Sequence, residues 1–406
     1  PIEQAATTSG SFDVLSISVD GLPAIIDPFR KSGPQRHEDT IYIAKAISHS
    51  YGIVNVQKDF TFHWELYEYD RHPFRTQTSG EFPSGSGLNT LSMYSWTDFS
   101  RIRKAVYIDM INLHASAGSK ADDKAARRSN LQQIADFIDV NSVGNAVIVF
   151  GITNSRYTRS DDNIRIFSTQ NNLKDAWVQA TGGIAPAIGT HALICPKGVP
   201  PNINCEVVDK VLYRGSRIID LESTEFFYDT SRFLTPEGSP RSDHHPVRVN
   251  FHYTLSPELQ QSDLYGGPHG TWFNDLPSIP SNPRLSWIAI CGKNRVNSVI
   301  FHLVSGERFT HGGSGGDCYM LILSPGDFIK SVDLCWGKKN GHTRIFYARA
   351  NTTTGVIVQA GTTTNKCATA TAPKGYGVVG AYGQDGDEMD QLGFIFARQC
   401  EGKCAV

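Results

Sequence analysis

The chain changes pattern once, at about Tyr253, and that change limits its fold more than any other feature. From Phe12 to His252 short apolar strands, at residues 14–19, 106–113, 146–150 and 247–251, alternate with polar loops and helical stretches. This is the pattern of a layered α/β domain. Helices are expected over residues 40–50 and 122–140, where Leu131, Ile134, Phe137 and Ile138 make one apolar face. After a polar segment, residues 254–263, only strands and turns follow, at residues 287–291, 298–303, 328–334, 343–348 and 356–359. Gly, Thr and Ser punctuate them, as in an all-β domain. At 406 residues the chain exceeds what one core usually serves. The expected organisation is an α/β domain over residues 1–253, a linker over 254–263, an all-β domain over 264–399 and a C-terminal tail over 400–406.

Lys plus Arg (38) nearly cancel Asp plus Glu (40), so no long-range positive field draws the chain to nucleic acid, and no nucleic-acid partner is expected. No run of about twenty apolar residues exists, so no membrane span is expected. Eight cysteines make an even count, and Cys195 with Cys205 and Cys400 with Cys404 are each close enough to close a small loop. Together with a first residue, Pro1, that suits a processed form, this fits a secreted, oxidised, extracellular protein. The pairing of the cysteines in the all-β part stays open.

Five stretches of the first part occur in an informative order. They are Leu15-Ser16-Ile17-Ser18-Val19-Asp20-Gly21-Leu22-Pro23, Val56-Gln57-Lys58-Asp59, Asn112-Leu113-His114, Phe150-Gly151-Ile152-Thr153-Asn154-Ser155-Arg156 and Ser242-Asp243-His244-His245-Pro246. This set resembles the endonuclease/exonuclease/phosphatase superfamily, in a degenerate form of secreted fungal type. Pancreatic-type deoxyribonucleases and bacterial-type sphingomyelinases are members. The resemblance implies a four-layer α/β sandwich, two central β-sheets flanked by helices, with the strand ends converging on one Mg²⁺-dependent phosphodiesterase site. His114, Asn154, Asp243 and His244 keep the family's residues, and the resemblance makes Asp243 the carboxylate that orients the His244 imidazole. Ser18 stands where the family has an Asn, Lys58 where it has its metal-binding Glu, Ile152 where it has an Asp that positions water, and Ser116 where related fungal sequences tend to carry Asp. An ammonium at a dication's seat opposes metal binding directly. The expectation is a pseudoenzyme without metal or other cofactor, its retained residues a hydrogen-bonded remnant in which Lys58 pairs with Asp243. The alternative is a secreted Mg²⁺-dependent phosphodiesterase, of nuclease or sphingomyelinase type, with Asp20 or Asp59 lending a carboxylate to a shifted metal and the second domain targeting it to glycans.

In the second part Tyr265-Gly266-Gly267-Pro268-His269-Gly270-Thr271-Trp272, Arg295-Val296-Asn297-Ser298, Thr310-His311-Gly312-Gly313, Gly341-His342-Thr343-Arg344-Ile345-Phe346-Tyr347 and Gly386-Asp387-Glu388-Met389-Asp390-Gln391-Leu392-Gly393 follow in order. They resemble the jacalin-related lectins, which implies an all-β, jacalin-like β-prism that binds glycans. The family's sugar loop maps onto Gly386, Asp387, Glu388, Met389 and Asp390, with backbone N–H groups and the Asp390 carboxylate holding hexose hydroxyls, since a carboxylate accepts such protons in charge-assisted bonds. Gly266 and Gly267 are expected to let the opening loop approach the sugar, and Met389 with Tyr382 to offer it an apolar face. The internal position of Gly266 implies mannose or glucose over galactose. The resemblance also implies a possible homodimer.

Overall fold

The structure, a computed structural model, describes residues 8–22, 33–77, 85–97, 101–103 and 106–399. Contacts divide the chain into two compact units. The first comprises Pro1–Asp139, Asn145–Gly215 and Ile219–Thr254, and the second Val140–Gly144, Ser216–Ile218 and Leu255–Val406.

Among the described residues the first unit holds twelve strands: β1 (Ser9–Ser18), β2 (Ile53–Gln57), β3 (Phe74–Arg75), β4 (Asn89–Ser92), β5 (Trp96–Thr97), β6 (Arg101–Arg103), β7 (Tyr107–His114), β8 (Ala146–Ile152), β9 (Lys174–Asp175), β10 (Asp209–Arg214), β11 (Ile219–Tyr228) and β12 (Val247–Leu255). They form two six-stranded sheets, ordered β11-β12-β1-β2-β4-β3 and β5-β6-β7-β8-β10-β9. At the centre of each sheet lies a parallel pair, β1 with β2 and β7 with β8. Strand β8 is buried throughout, as its unbroken apolar run demands of a strand covered on both faces. Asn55 Nδ2 donates to Phe150 O at 3.1 Å and Asn112 Nδ2 to Val56 O at 3.1 Å, so amide side chains stitch one sheet to the other.

Helix α1 (Gly33–Ile47) adds Ile43, Ala44 and Ile47 to the core cluster of Leu15, Ile17, Val54 and Val56. It begins before the stretch expected from periodicity. After α2 (His63–Tyr69), helix α3 (Ala121–Asn141) buries Leu131, Ala135 and Ile138, a stripe at i, i+4 and i+7. Phe137, expected on that face, is exposed instead, because at about 3.6 residues per turn it falls roughly 120° round the helix from Leu131.

Strands β13 (Leu259–Gln261), β14 (Tyr265–Gly266), β15 (Thr271–Asn274), β16 (Leu285–Gly292), β17 (Val296–Leu303), β18 (Arg308–Gly312), β19 (Asp317–Ile322), β20 (Ile329–Lys339), β21 (His342–Thr352), β22 (Ile357–Gly361), β23 (Cys367–Thr371), β24 (Tyr376–Asp385) and β25 (Met389–Arg398) make the second unit. Its three sheets are β13-β25-β24-β15 with β14 also on β25, β18-β17-β16-β19, and β22-β21-β20-β23. Phe301, Ile345, Phe394 and Phe396 belong to its buried interior. The segment read as a linker is not a free tether: within it β13 pairs with β25, and Leu259 is buried, because its apolar side chain and edge backbone both gain partners there.

Cys195 is bonded to Cys205 as expected, and the second unit adds Cys291–Cys318 and Cys335–Cys367. Each of these two joins register partners, on β16 with β19 and on β20 with β23. Cys400 and Cys404, with the rest of the expected tail 400–406, lie outside the described residues. Among the described residues no helix is long and apolar enough to cross a membrane.

Candidate functional site

In the first unit the expected residues gather where the parallel strands end. Ser18 closes β1, Lys58 follows β2, His114 closes β7 and Asn154 follows β8, while Asp243 and His244 lie in the loop before β12. Asp20, Lys58 and Asn154 hold φ values of 52°, 58° and 52°. This left-handed backbone costs an L-residue about 1–2 kcal/mol.

The Lys58 ammonium donates to Asp243 Oδ2, and the Ser18 hydroxyl donates to Asp243 Oδ1 at 2.6 Å. The two ionic side chains are only 6% and 12% exposed. A divalent cation in this seat needs several oxygens and net negative charge left over for it. The Asp243 carboxylate is already matched by an ammonium bonded to it, and Ile152, fully buried between its register partners His114 and Asp209, adds no donor. The residues do not fit a dication at the position of Lys58.

The imidazole of His244 is oriented by a residue that the motifs do not contain. Its Nδ1 lies 2.9 Å from Asp209 Oδ2, whereas its Nε2 is 3.8 Å from Asp243 Oδ2. Asp209, at the start of β10, thus takes the role expected of Asp243, whose oxygens are turned to Lys58 and Ser18. Asn154 Nδ2 donates to Ala115 O at 2.8 Å, and Ser116 Oγ to Asn130 Oδ1 at 2.9 Å. Asp59 accepts from Asn89 Nδ2 at 2.6 Å and lies 2.6 Å from His63 Nδ1, while the Asp20 amide donates to Ser18 Oγ at 3.2 Å. Beside the remnant a cleft of about 430 Å³ is lined by residues including Pro196, Lys197, Asp243, His244 and His245.

Charge in this cluster follows from burial and from Lys58. Burial first, then the Lys58 ammonium and His244, push the His114 imidazole down to about 4. At neutral pH it is uncharged and a poor partner for an anionic phosphorane. Burial opposes charge on His244 too, but there the Asp209 carboxylate prevails and the net shift is upward. Asp243, despite its burial, is held well below the usual carboxylate range by Lys58 and His244 and by the hydrogen bonds from Lys58 and Ser18.

In the second unit the Gly386–Asp390 stretch comprises the turn between β24 and β25, residues 386–388, and the first two residues of β25, with the Gly386 amide donating to Glu388 O at 3.1 Å. The opening glycines meet it: β14 pairs with β25, and the Gly267 amide donates to Asp390 O at 3.0 Å. At Gly266 (φ 107°) a Cβ would overlap that carbonyl oxygen, and at Gly267 it would crowd the Thr343 side chain. Both glycines are therefore already required by close packing inside the domain.

Two features differ from the sequence expectation. Met389 and Tyr382 are core residues, with Tyr382 OH donating to Ser262 O at 2.5 Å, so neither offers a face to a sugar. Burial is unbroken over residues 376–383 of β24 and 389–397 of β25, so both faces of these strands are covered there. Asp390, expected to be open to hydroxyl groups, is 2% exposed, and the Arg344 guanidinium is bonded to its carboxylate. Glu388 is likewise held, by Arg295 Nε at 3.0 Å and Nη2 at 2.5 Å and by Lys339 Nζ at 2.6 Å. The Arg295 bonds first, then those of Lys339, bring its carboxyl down to about 2. Asp387, at the tip of the turn, is exposed. Arg295 and Arg344 belong to family landmark stretches and Lys339 does not; Arg295 lies between β16 and β17 and Lys339 on β20, outside the sheet of β24 and β25, so packing between sheets brings them to Glu388.

Comparison with known proteins assigns the two units. Residues 34–179 match the endonuclease/exonuclease/phosphatase family 2 model, and residues 262–395 the jacalin-like lectin domain model. A sphingomyelinase of Mycobacterium tuberculosis is 31% identical over 277 residues, covering 61% of this chain and 54% of the relative, so the chain spans about half the length of that protein. A secreted RxLR effector protein of Plasmopara viticola is 28% identical over 145 residues, 34% of this chain and 81% of the effector. Among solved structures, a mannose-binding jacalin-related lectin of Ananas comosus is 20% identical, with a TM-score of 0.31, over 34% of this chain and 98% of the lectin. The chain joins an endonuclease/exonuclease/phosphatase-type α/β domain to an all-β, jacalin-like lectin domain.

Proposed function

We propose that this is a secreted glycan-binding protein whose phosphodiesterase-like domain does not cleave phosphodiesters. The Lys58–Asp243 pair carries this reading. It fills the seat of the metal with a cation that cannot act as a Lewis acid, and it helps keep His114 neutral. Ile152 leaves no carboxylate to position a water, and no cofactor is invoked. Glycan binding is assigned to the end of the lectin domain where the Gly386–Asp390 turn meets Gly266 and Gly267. The mannose- or glucose-type preference inferred from an internal Gly266 depends on Asp390 being free to accept hydroxyl protons. Three disulfides among the described residues support an oxidising, extracellular setting.

A second reading, a Mg²⁺-dependent phosphodiesterase targeted by its lectin domain, is favoured by the 31% identity to a sphingomyelinase and by the retained His114 and the His244–Asp209 pair. The two separate in one experiment. The full chain is incubated with sphingomyelin vesicles and with DNA, each with Mg²⁺ or with EDTA, and is probed in parallel on a glycan array. Glycan binding without EDTA-sensitive cleavage is expected. EDTA-sensitive cleavage of either substrate would establish the second reading. Return of cleavage in the triple variant Ser18→Asn, Lys58→Glu, Ile152→Asp would locate the loss in those three side chains.

A further inference from the structure

The turn at the end of the lectin domain is built as an inner layer of acids beneath an outer layer of bases. The Glu388 and Asp390 side chains are 11% and 3% exposed, whereas Arg344 and Lys339, which hold them, are 23% and 37% exposed. Lys338 and His342 are exposed beside them, and the His269 ring meets the His342 ring edge-on at 4.7 Å. Arg295, Lys338, Lys339 and Arg344 stand against Glu388, Asp390, the exposed Asp387 and the largely covered Asp385, so the turn as a whole is balanced, but its inner acids leave an excess of positive charge in the outer layer before either imidazole takes a proton. His269 registers that excess: slight burial first, then His342, Arg344 and Lys338, push its imidazole below the ordinary value.

This layering selects among sugars. A neutral hexose donates its hydroxyl protons to a carboxylate, but Glu388 already accepts from Arg295 and Lys339, and Asp390 is enclosed and ion-paired with Arg344, so a hexose would have to displace those cations for weaker bonds. A saccharide with its own anionic group needs no such exchange, because the outer cations still have N–H groups facing solvent and a guanidinium accommodates a carboxylate or a sulfate side-on. We propose that this end of the lectin domain takes glycans bearing an acidic group, a carboxylate or a sulfate ester, with Arg344, Lys338 and His342 as the contacting side chains. The inference rests on the reading of the domain as a lectin and replaces a neutral ligand by an anionic one.

Titration calorimetry on the full chain tests it, with sialyllactose, a sulfated N-acetyllactosamine, the neutral parent of each, and methyl mannoside as probes. At least one acidic saccharide is expected to bind about tenfold or more tightly than its neutral parent. That advantage should shrink as NaCl rises from about 50 mM to about 300 mM, since partly exposed charges are screened. The carboxylate and sulfate arms identify which acid is taken. Arg344→Gln should bring acidic and neutral ligands to similar affinity. The double variant Lys338→Gln, His342→Gln, which alters only exposed side chains, should cut acidic binding by roughly threefold or more and keep the unfolding midpoint. Neutral parents or mannoside bound as tightly as the acidic sugars, with no salt dependence, would overturn the acidic preference and leave the lectin reading standing. Binding of none of the probes, together with a blank glycan array, would overturn both.

Discussion

The remnant site of the α/β domain and the turn of the lectin domain pose the same chemical problem and settle it at different depths. In each, a carboxylate to which the family resemblance gives a working role, orienting an imidazole in one and holding hydroxyls in the other, is taken by a cation of the chain itself, Asp243 by Lys58 and Asp390 by Arg344. Lys58 is almost fully enclosed, so its charge is consumed by the pair and nothing else can reach it. Arg344 is 23% exposed, so one side of its guanidinium holds Asp390 while the rest faces solvent. The lesson is that an internal ion pair closes a site only when both partners are buried. When the cation lies at the surface, the pair reverses the sign of what the site attracts.

The largest expected difference between the two pairs lies in stability. Lys58→Met strips the ammonium from a buried carboxylate and should cost about 3–5 kcal/mol in denaturant unfolding. Arg344→Ala should cost less, about 1–2 kcal/mol, because water can reach Asp390 once the side chain is shortened. Equal losses in the two variants would break the distinction between an enclosed and an open pair.

Glu388 sharpens the comparison from the acid side. Its carboxyl is lowered from an ordinary 4.5 to about 2, so the stabilisation it provides is complete above pH 4.5 and is lost as pH falls toward about 2. Glu388→Gln should remove that part of the acid-unfolding profile and lower stability near neutrality by about 1 kcal/mol.

The smallest effect is a titration. His114 is lowered from an ordinary 6.5 to about 4, so its burial favours the folded state above pH 6.5, and that advantage fades as pH falls toward about 4. In NMR titrations its ring signals should therefore stay in the neutral form at pH 5.5, and Lys58→Met should move its transition upward by removing a nearby cation. An unmoved His114 transition in that variant would mean that burial alone sets it.

Much of this was legible in the sequence because motifs are local. Ser18, Lys58, His114 and Asn154 each sit at or just past a strand end and Asp243 and His244 in the loop before β12, positions that the order of the motifs already suggests. The ion pair of Lys58 with Asp243 was legible as well, from charge. Asp209 was not. It starts an antiparallel strand 35 residues before His244, and only the pairing of β10 with β8 places it at that imidazole. The masking of Asp390 by Arg344 is hidden for a related reason, since the guanidinium on β21 crosses to a strand of another sheet, a contact that no spacing encodes. Proximity to a motif is what suggests Met389 and Tyr382 as sugar contacts, whereas both lie on strands covered on both faces, which a short motif does not reveal.

The left-handed backbone of Lys58, Asp20 and Asn154 has a consequence for descent. These torsions belong to the path of the chain at its strand ends, so the aim of each side chain is inherited separately from its chemistry. A glutamate codon becomes a lysine codon by one base change. At position 58 such a change swaps a metal ligand for an ammonium with no loop to rebuild. On the proposed reading, that one change would already oppose a metal at this seat while the scaffold stays intact, with the replacements at Ser18 and Ile152 free to follow.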